Sequence, residues 1–200
     1  MKPMPLQPNM TSFKKSVVLL IVLVLAGCVK TLTLKNGYQK APVSAKVFKN
    51  RVYFDPVILK QMDTASIYEQ FETDYYEGEE KQPNVLARLN YKDPNTIYGV
   101  YRFYSSGQFN LFFLDRNIPD LTTEMFDPNY AGWRGVLYRK KRVKGDLFTQ
   151  VGPQSWQLGV QTYNFDFNGD TLIVELPNKT KEYYIKRMMD PHLLKHSAGW

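Results

Sequence analysis

The stretch Gln161–Pro177, QTYNFDFNGDTLIVELP, decides the fold. Tyr163, Phe165 and Phe167 share one parity before Asn168-Gly169, and Leu172, Val174 and Leu176 share one after it. A side-chain period of two belongs to a strand with one buried face. Asn-Gly is the dipeptide favoured by two-residue type I′ hairpin loops. The spacing predicts an antiparallel hairpin here.

The same plan recurs twice earlier in the chain. Residues 96–115, TIYGVYRFYSSGQFNLFFLD, are two runs about a Ser-Ser-Gly turn, with Tyr101 and Phe103 sharing a face before it and Phe109, Leu111 and Phe113 after it. Residues 132–152, GWRGVLYRKKRVKGDLFTQVG, repeat it with Lys144-Gly145-Asp146 read as the turn. NVLARLNY (84–91) precedes these hairpins, and KEYYIKR (181–187) follows Pro177-Asn178-Lys179. The prediction is a mainly β protein, an antiparallel meander of about eight strands that closes into a barrel and so removes its edges. An open curved sheet or a sandwich is the alternative. The 14 Tyr, 12 Phe and 3 Trp suit half-buried pleated surfaces, and 12 Gly and 12 Pro punctuate them. Leu111 to Leu114 is apolar on both faces, so its outer side needs a cover.

Helix is expected in one place, Asp55–Glu72, as one or two short helices before the meander. Pro56 suits a first turn, Ile58, Met62 and Ala65 share a helical face, and Ser66 to Glu69 fits a capping box. This segment is the expected cover for Leu111–Leu114. Residues 28–50 read as a polar, basic tether, and 51–200 as a single domain.

The first residues give an address. Lys14 and Lys15 precede an apolar run from Val17 to Ala26, about half of the roughly 20 residues that a spanning helix needs. A basic start, a short apolar core and small residues at its end describe a secretory signal. Leu25-Ala26-Gly27-Cys28 resembles the lipobox of bacterial lipoproteins, which implies removal of residues 1–27 and lipidation of Cys28. Cys28 is the single cysteine, so no internal disulfide can form. Two or more acyl chains anchor stably where one does not. Val29 is not the aspartate that retains such proteins at the inner membrane, and Val29-Lys30-Thr31-Leu32 lacks an acidic surface-export run. The resemblance therefore implies an outer-membrane protein facing the periplasm. Cleavage leaves 173 of the 200 residues and lowers the formal charge from +7 to +4, because Lys2, Lys14 and Lys15 leave with the signal. Export excludes most nucleic-acid partners, and anionic headgroups become the available counter-charge.

The order of hairpins from Val85 to Arg187 resembles the lipocalin-like (calycin) group of small barrels. Lipocalins carry Gly-x-Trp on the first strand, whereas Gly132 and Trp133 are adjacent and late; Thr73-Asp74-Tyr75 matches a second lipocalin tripeptide but in the wrong order. The resemblance implies a barrel that is either filled or open to one small ligand. In an open barrel Tyr101, Phe103, Phe109, Phe113, Trp133 and Trp156 are the candidate inward ligand-binding rings.

Catalytic groups are sparse. His192 and His196 have the i, i+4 spacing of a metal pair, but Leu193 stands where a zinc protease needs glutamate, and the segment reads as a closing tail. No Gly-x-Ser-x-Gly elbow exists. Asp166, Asn168, Gly169 and Asp170 have glycine at the wrong place for a calcium loop, and the hairpin explains them. Glu77, Glu79 and Glu80 read as a solvated loop. The basic run Arg139-Lys140-Lys141-Arg142 is a candidate headgroup contact, or simply a charged strand end that resists edge pairing. The expectation is a non-catalytic, lipid-anchored envelope protein without metal or cofactor. It binds a small apolar or amphipathic ligand, or serves as an accessory subunit of an outer-membrane assembly.

Overall fold

The computed structural model describes residues 29–77, 84–90, 97–152 and 157–200, with the backbone alone for 75–77 and 84–90. Cys28, Trp156, Glu79 and Glu80 lie outside the described residues. The chain divides into two compact units, Met1–Lys30 and Thr31–Trp200, and everything below concerns the second.

Eleven strands are present among the described residues: β1 (Thr31–Thr33), β2 (Lys40–Pro42), β3 (Ser66–Glu77), β4 (Asn84–Asn90), β5 (Ile97–Phe103), β6 (Gln108–Asp115), β7 (Trp133–Arg139), β8 (Val143–Gln150), β9 (Leu158–Asn168), β10 (Thr171–Glu175) and β11 (Lys181–Met188). β3, β5, β6, β7, β8, β9, β10 and β11 pair in that order, all antiparallel, and β11 returns to β3. Eight strands thus close a barrel. The closing ladder runs from Lys181 opposite Asp74 to Met188 opposite Ser66.

The membership of the barrel differs from expectation. Ser66–Glu77, whose first half was predicted as helix, is the longest strand and carries the closure. Its sequence, SIYEQFETDYYE, is rich in aromatic and β-branched residues, and pairing on both edges outweighs the local helical spacing. The anticipated strand 84–91 lies beside the far half of β3, Glu72 to Glu77, where β5 no longer reaches. Thr73-Asp74 thereby belongs to the barrel wall rather than preceding it. Helical structure in the Asp55–Glu72 segment is confined to a 3-10 turn, Pro56–Gln61. Asp55 caps it by accepting from the Val57 N–H at 2.9 Å, and Pro56 sits at its start as its fixed φ favours.

That turn does not cover the outside of β6. Ile58 is wholly buried in the inner core, with Phe54 and Met62 beside it, so the turn plugs the end of the barrel where β5 meets β6. The outer faces of Phe112 and Leu114 are covered instead by Leu121, Met125 and Phe126 and by Met189, Leu193 and Leu194 of the C-terminal segment. Residues 31–50, read as a tether, also belong to the domain. Phe48 packs on Val136 and Phe148 outside β7 and β8, and Arg134 donates to the Pro42 carbonyl at 2.9 Å.

Two turns depart from the sequence reading. Arg139 pairs with Val143, so Lys140-Lys141-Arg142 make the β7–β8 turn and Gly145 lies within β8. Its role there is close packing: an added Cβ would stand 2.3 Å from Phe165 and 2.9 Å from Phe109. Asn168 pairs with Thr171, leaving Gly169 and Asp170 as the loop, and of these Gly169 alone has positive φ, 59°. A glycine first in a two-residue loop is the type II′ arrangement rather than I′. The Ser105-Ser106-Gly107 turn lies where predicted, with Gly107 at φ 78°.

Candidate functional site

The barrel interior has three levels. The lowest, above the Ile58 plug, is filled with rings. Tyr101, Phe103 and Phe109 are buried to 1% exposure or less and meet Tyr68, Phe165, Phe167 and Tyr184 at centroid distances of 4.9 to 6.1 Å, mostly edge-to-face. Gly135 and Gly145 make the space that Phe109 occupies. Three of the six rings expected to line a ligand cavity are therefore packed core, and their neighbours are other rings.

Above them lies a polar layer that the sequence reading missed. Tyr184 donates to Glu182 Oε2 at 2.6 Å, and Tyr163 donates to Gln161 Oε1 at 2.9 Å. Gln70 Oε1 accepts from the Gly99 N–H at 2.8 Å, while its amide donates to Thr73 Oγ1 at 3.0 Å. Burial pushes the Glu182 carboxyl above its ordinary range, against the opposing effect of the Tyr184 bond. Burial likewise raises the Tyr101 and Tyr163 phenols, with the Glu182 charge as a further cause. Such a layer holds hydrogen-bond donors and a carboxyl that readily keeps its proton. Its signal in the sequence was faint: Glu182 shares parity with Tyr184, opposite the apolar pair Leu172 and Val174.

The third level is the rim. Phe113 has the same inward parity as Phe109 and Leu111, yet it is 56% exposed, so it stands at the rim rather than in the packed core. Register explains this. Its partner on β5 is Gly99, which offers no side chain, and β7 begins at Trp133 opposite Leu111, one step short of Phe113. Trp133 is half-buried against the inner core. Phe113 and Trp133 border an open cleft of about 550 Å³, closed by Ala131, Gly132, Leu158 and the β1–β2 hairpin residue Tyr38, itself 82% exposed.

The hairpin is fixed in place: the Lys35 and Asn36 N–H groups donate to the Asn129 and Tyr130 carbonyls, and the Gly132 N–H donates to Gln39 Oε1 at 3.0 Å. Gly132 has φ 94°, and a Cβ there would stand 2.7 Å from Phe112, so glycine is required for the chain to enter β7 at this angle.

The basic run is at the opposite end of the barrel from this rim. Lys140, Lys141 and Arg142 are exposed, and Arg139 is half-buried. Lys140 lies 4.9 Å from the Tyr53 ring centre and donates to Asn50 Oδ1 at 3.1 Å. Arg139, Lys141 and Arg142 join Lys181 around a second cleft of about 500 Å³ that also holds Asp166 and Glu175.

His192 and His196 do not form a helical pair. The chain turns at 191–194 and then runs without helix; His192 is exposed, and His196 Nδ1 is 4.0 Å from Asp127 Oδ1. Among the described residues no three His, Cys, Asp or Glu side chains are grouped to hold a metal.

Compared with protein-family models, curated proteins and solved structures, the chain matches none of them.

Proposed function

We propose that the protein is a lipid-anchored component of the bacterial cell envelope, held through Cys28 at the outer membrane and facing the periplasm, that acts by binding rather than catalysis. Its ligand is a small apolar or amphipathic molecule bound at the rim cleft. The observation that carries this reading is Phe113, an aromatic side chain on the inward parity that the register leaves uncovered beside a cleft of about 550 Å³. Ligand sites of this kind are concave, largely apolar and 300–1,000 Å³, with a few polar groups that orient the bound molecule. Among the described residues Gln39, Lys40, Gln150 and the Tyr38 hydroxyl bring polar groups to this cleft.

The ring-filled lower interior favours a second reading from another class, an accessory subunit that docks on a protein assembly and carries no small ligand. Native mass spectrometry of the protein released from membranes in gentle detergent separates the two. The first predicts a bound mass of a few hundred daltons that is lost in Phe113→Asp. A stoichiometric protein partner without such an adduct refutes it and supports the second. The anchor has its own test: labelling with an alkyne palmitate is expected in the wild type and absent in Cys28→Ser.

A further inference from the structure

On the outer face of the barrel, beneath the C-terminal segment, Arg102, Asn110 and Arg134 form one row across β5, β6 and β7, each directly opposite the next. Directly opposite side chains stand about 5 Å apart at Cβ. Arg102 and Arg134 are 5% and 2% exposed. The outer atoms of both guanidiniums are taken by carbonyls. Arg102 donates to Phe126 O and Leu194 O, and Arg134 donates to Pro42 O, Pro128 O and Asn129 Oδ1.

Aromatic rings close the row. The Arg102 guanidinium lies 4.7 Å from the Tyr104 ring centre and that of Arg134 4.8 Å from the Trp200 ring, while Tyr104 and Trp200 meet edge-on at 6.0 Å. Five buried side-chain polar atoms have no well-formed hydrogen bond among the described residues, and all five belong to this group: Arg102 Nε, Arg134 Nε, Tyr104 OH, Trp200 Nε1 and Asn110 Oδ1. Arg102 and Tyr104 still lie close enough to each other to offset part of the cost of their burial.

Orphaned buried polar atoms are rare and costly, and five gathered in one place call for an occupant. Charge points the same way. Two guanidiniums are buried here, and among the described residues neither has a carboxylate within ion-pair distance. The nearby acid, Asp127, already meets Lys35 at 3.7 Å and His196 at 4.0 Å. Four of the five orphans are donors, each a single N–H or O–H from a different side chain. With the outer guanidinium nitrogens engaged elsewhere, the forked grip that suits carboxylate or phosphate is weakened. Single donors from four different side chains suit a spherical anion better than a forked oxyanion.

We propose that Arg102, Tyr104, Arg134 and Trp200 enclose a binding site for a halide-sized anion, chloride in practice, which neutralises the buried arginines and fastens the C-terminal segment to the barrel. A bound water is the competitor, because Asn110 Oδ1 would accept from it. The test uses the full chain in detergent micelles. Crystals grown in bromide are expected to show an anomalous peak in contact with Arg102 Nε and Arg134 Nε; a peak of water strength without anomalous signal there overturns the proposal.

In solution, the melting temperature in sodium chloride is compared with that in sodium gluconate at equal ionic strength. Chloride at about a hundred times its Kd is expected to raise it by roughly 5 °C. Equal melting temperatures in the two salts overturn the proposal. Tyr104→Phe removes one donor and keeps the ring, so it is expected to halve the chloride-dependent rise or more while folding normally in gluconate. An unchanged rise in that variant also counts against the site, and the bromide test needs no variant at all.

Discussion

Phe109 and Phe113 sit on the same strand with the same parity, yet one is wholly buried and the other is 56% exposed. At Phe109 the flanking strands supply Phe103 and Gly135, and the glycine leaves the space that the ring occupies. At Phe113 they supply Gly99 on one side and no paired β7 residue on the other. A glycine beside a ring thus has opposite consequences. It admits the ring to the core where further rings close over it, and it uncovers the ring where the neighbouring strand has not begun. Parity assigns a face; register and strand ends assign burial.

Four predictions break or sharpen this contrast. The largest effect belongs to Phe109→Ala, expected to cost about 4 kcal/mol in urea denaturation because the surrounding rings cannot collapse into the space. If the loss stayed below about 1 kcal/mol, the lower interior would not be the packed core described. Next is Gly145→Ala, whose Cβ meets Phe165 at 2.3 Å; overpacking of this kind is expected to cost about 1–3 kcal/mol by the same measurement. A mere turn glycine at this position would not lose stability by that route.

The third concerns pH. Glu182 has its carboxyl raised in the folded state by burial. The folded protein therefore binds this proton more tightly than the unfolded chain. The stability that the proton confers is present below the ordinary glutamate range and is lost as pH rises through the folded value. Glu182→Gln is expected to flatten that part of the stability profile, measured as urea midpoints from pH 4 upward; parallel profiles would remove the polar layer from the account. The smallest effect is that of Phe113→Ala, expected within about 0.5 kcal/mol of wild type in stability, as for exposed positions. The same substitution should weaken retention of the small ligand in native mass spectrometry, and unchanged retention would move the binding surface away from the rim.

Much of the barrel was legible because alternation is a local signal. The strands around Tyr101, Phe109 and Phe165 could be read from parity and from their turns alone. Ser66–Glu72 was misread because its spacing satisfies both a capping box and a pleated strand, and the arbiter is a partner more than a hundred residues away, β11. Gly145 looked like a turn for the same reason: a glycine required by Phe165 cannot be told from one required by φ until the two strands are paired. Glu182, Arg102 and Arg134 were passed over because single charged residues in strands ordinarily face water. They became visible once their sides of the sheet were known to be covered.

By itself, the sequence determined the class of the fold and most strands, since period two and turn residues act over a few positions. The expected lipid anchor likewise rests on a short local pattern ending at Cys28. Tertiary structure decided which segment closes the barrel, which rings are core and which are rim, and where buried charge collects. Those outcomes depend on pairings between distant strands and on what the 116–132 and 189–200 segments cover, and free energy from such contacts leaves no local trace in the chain.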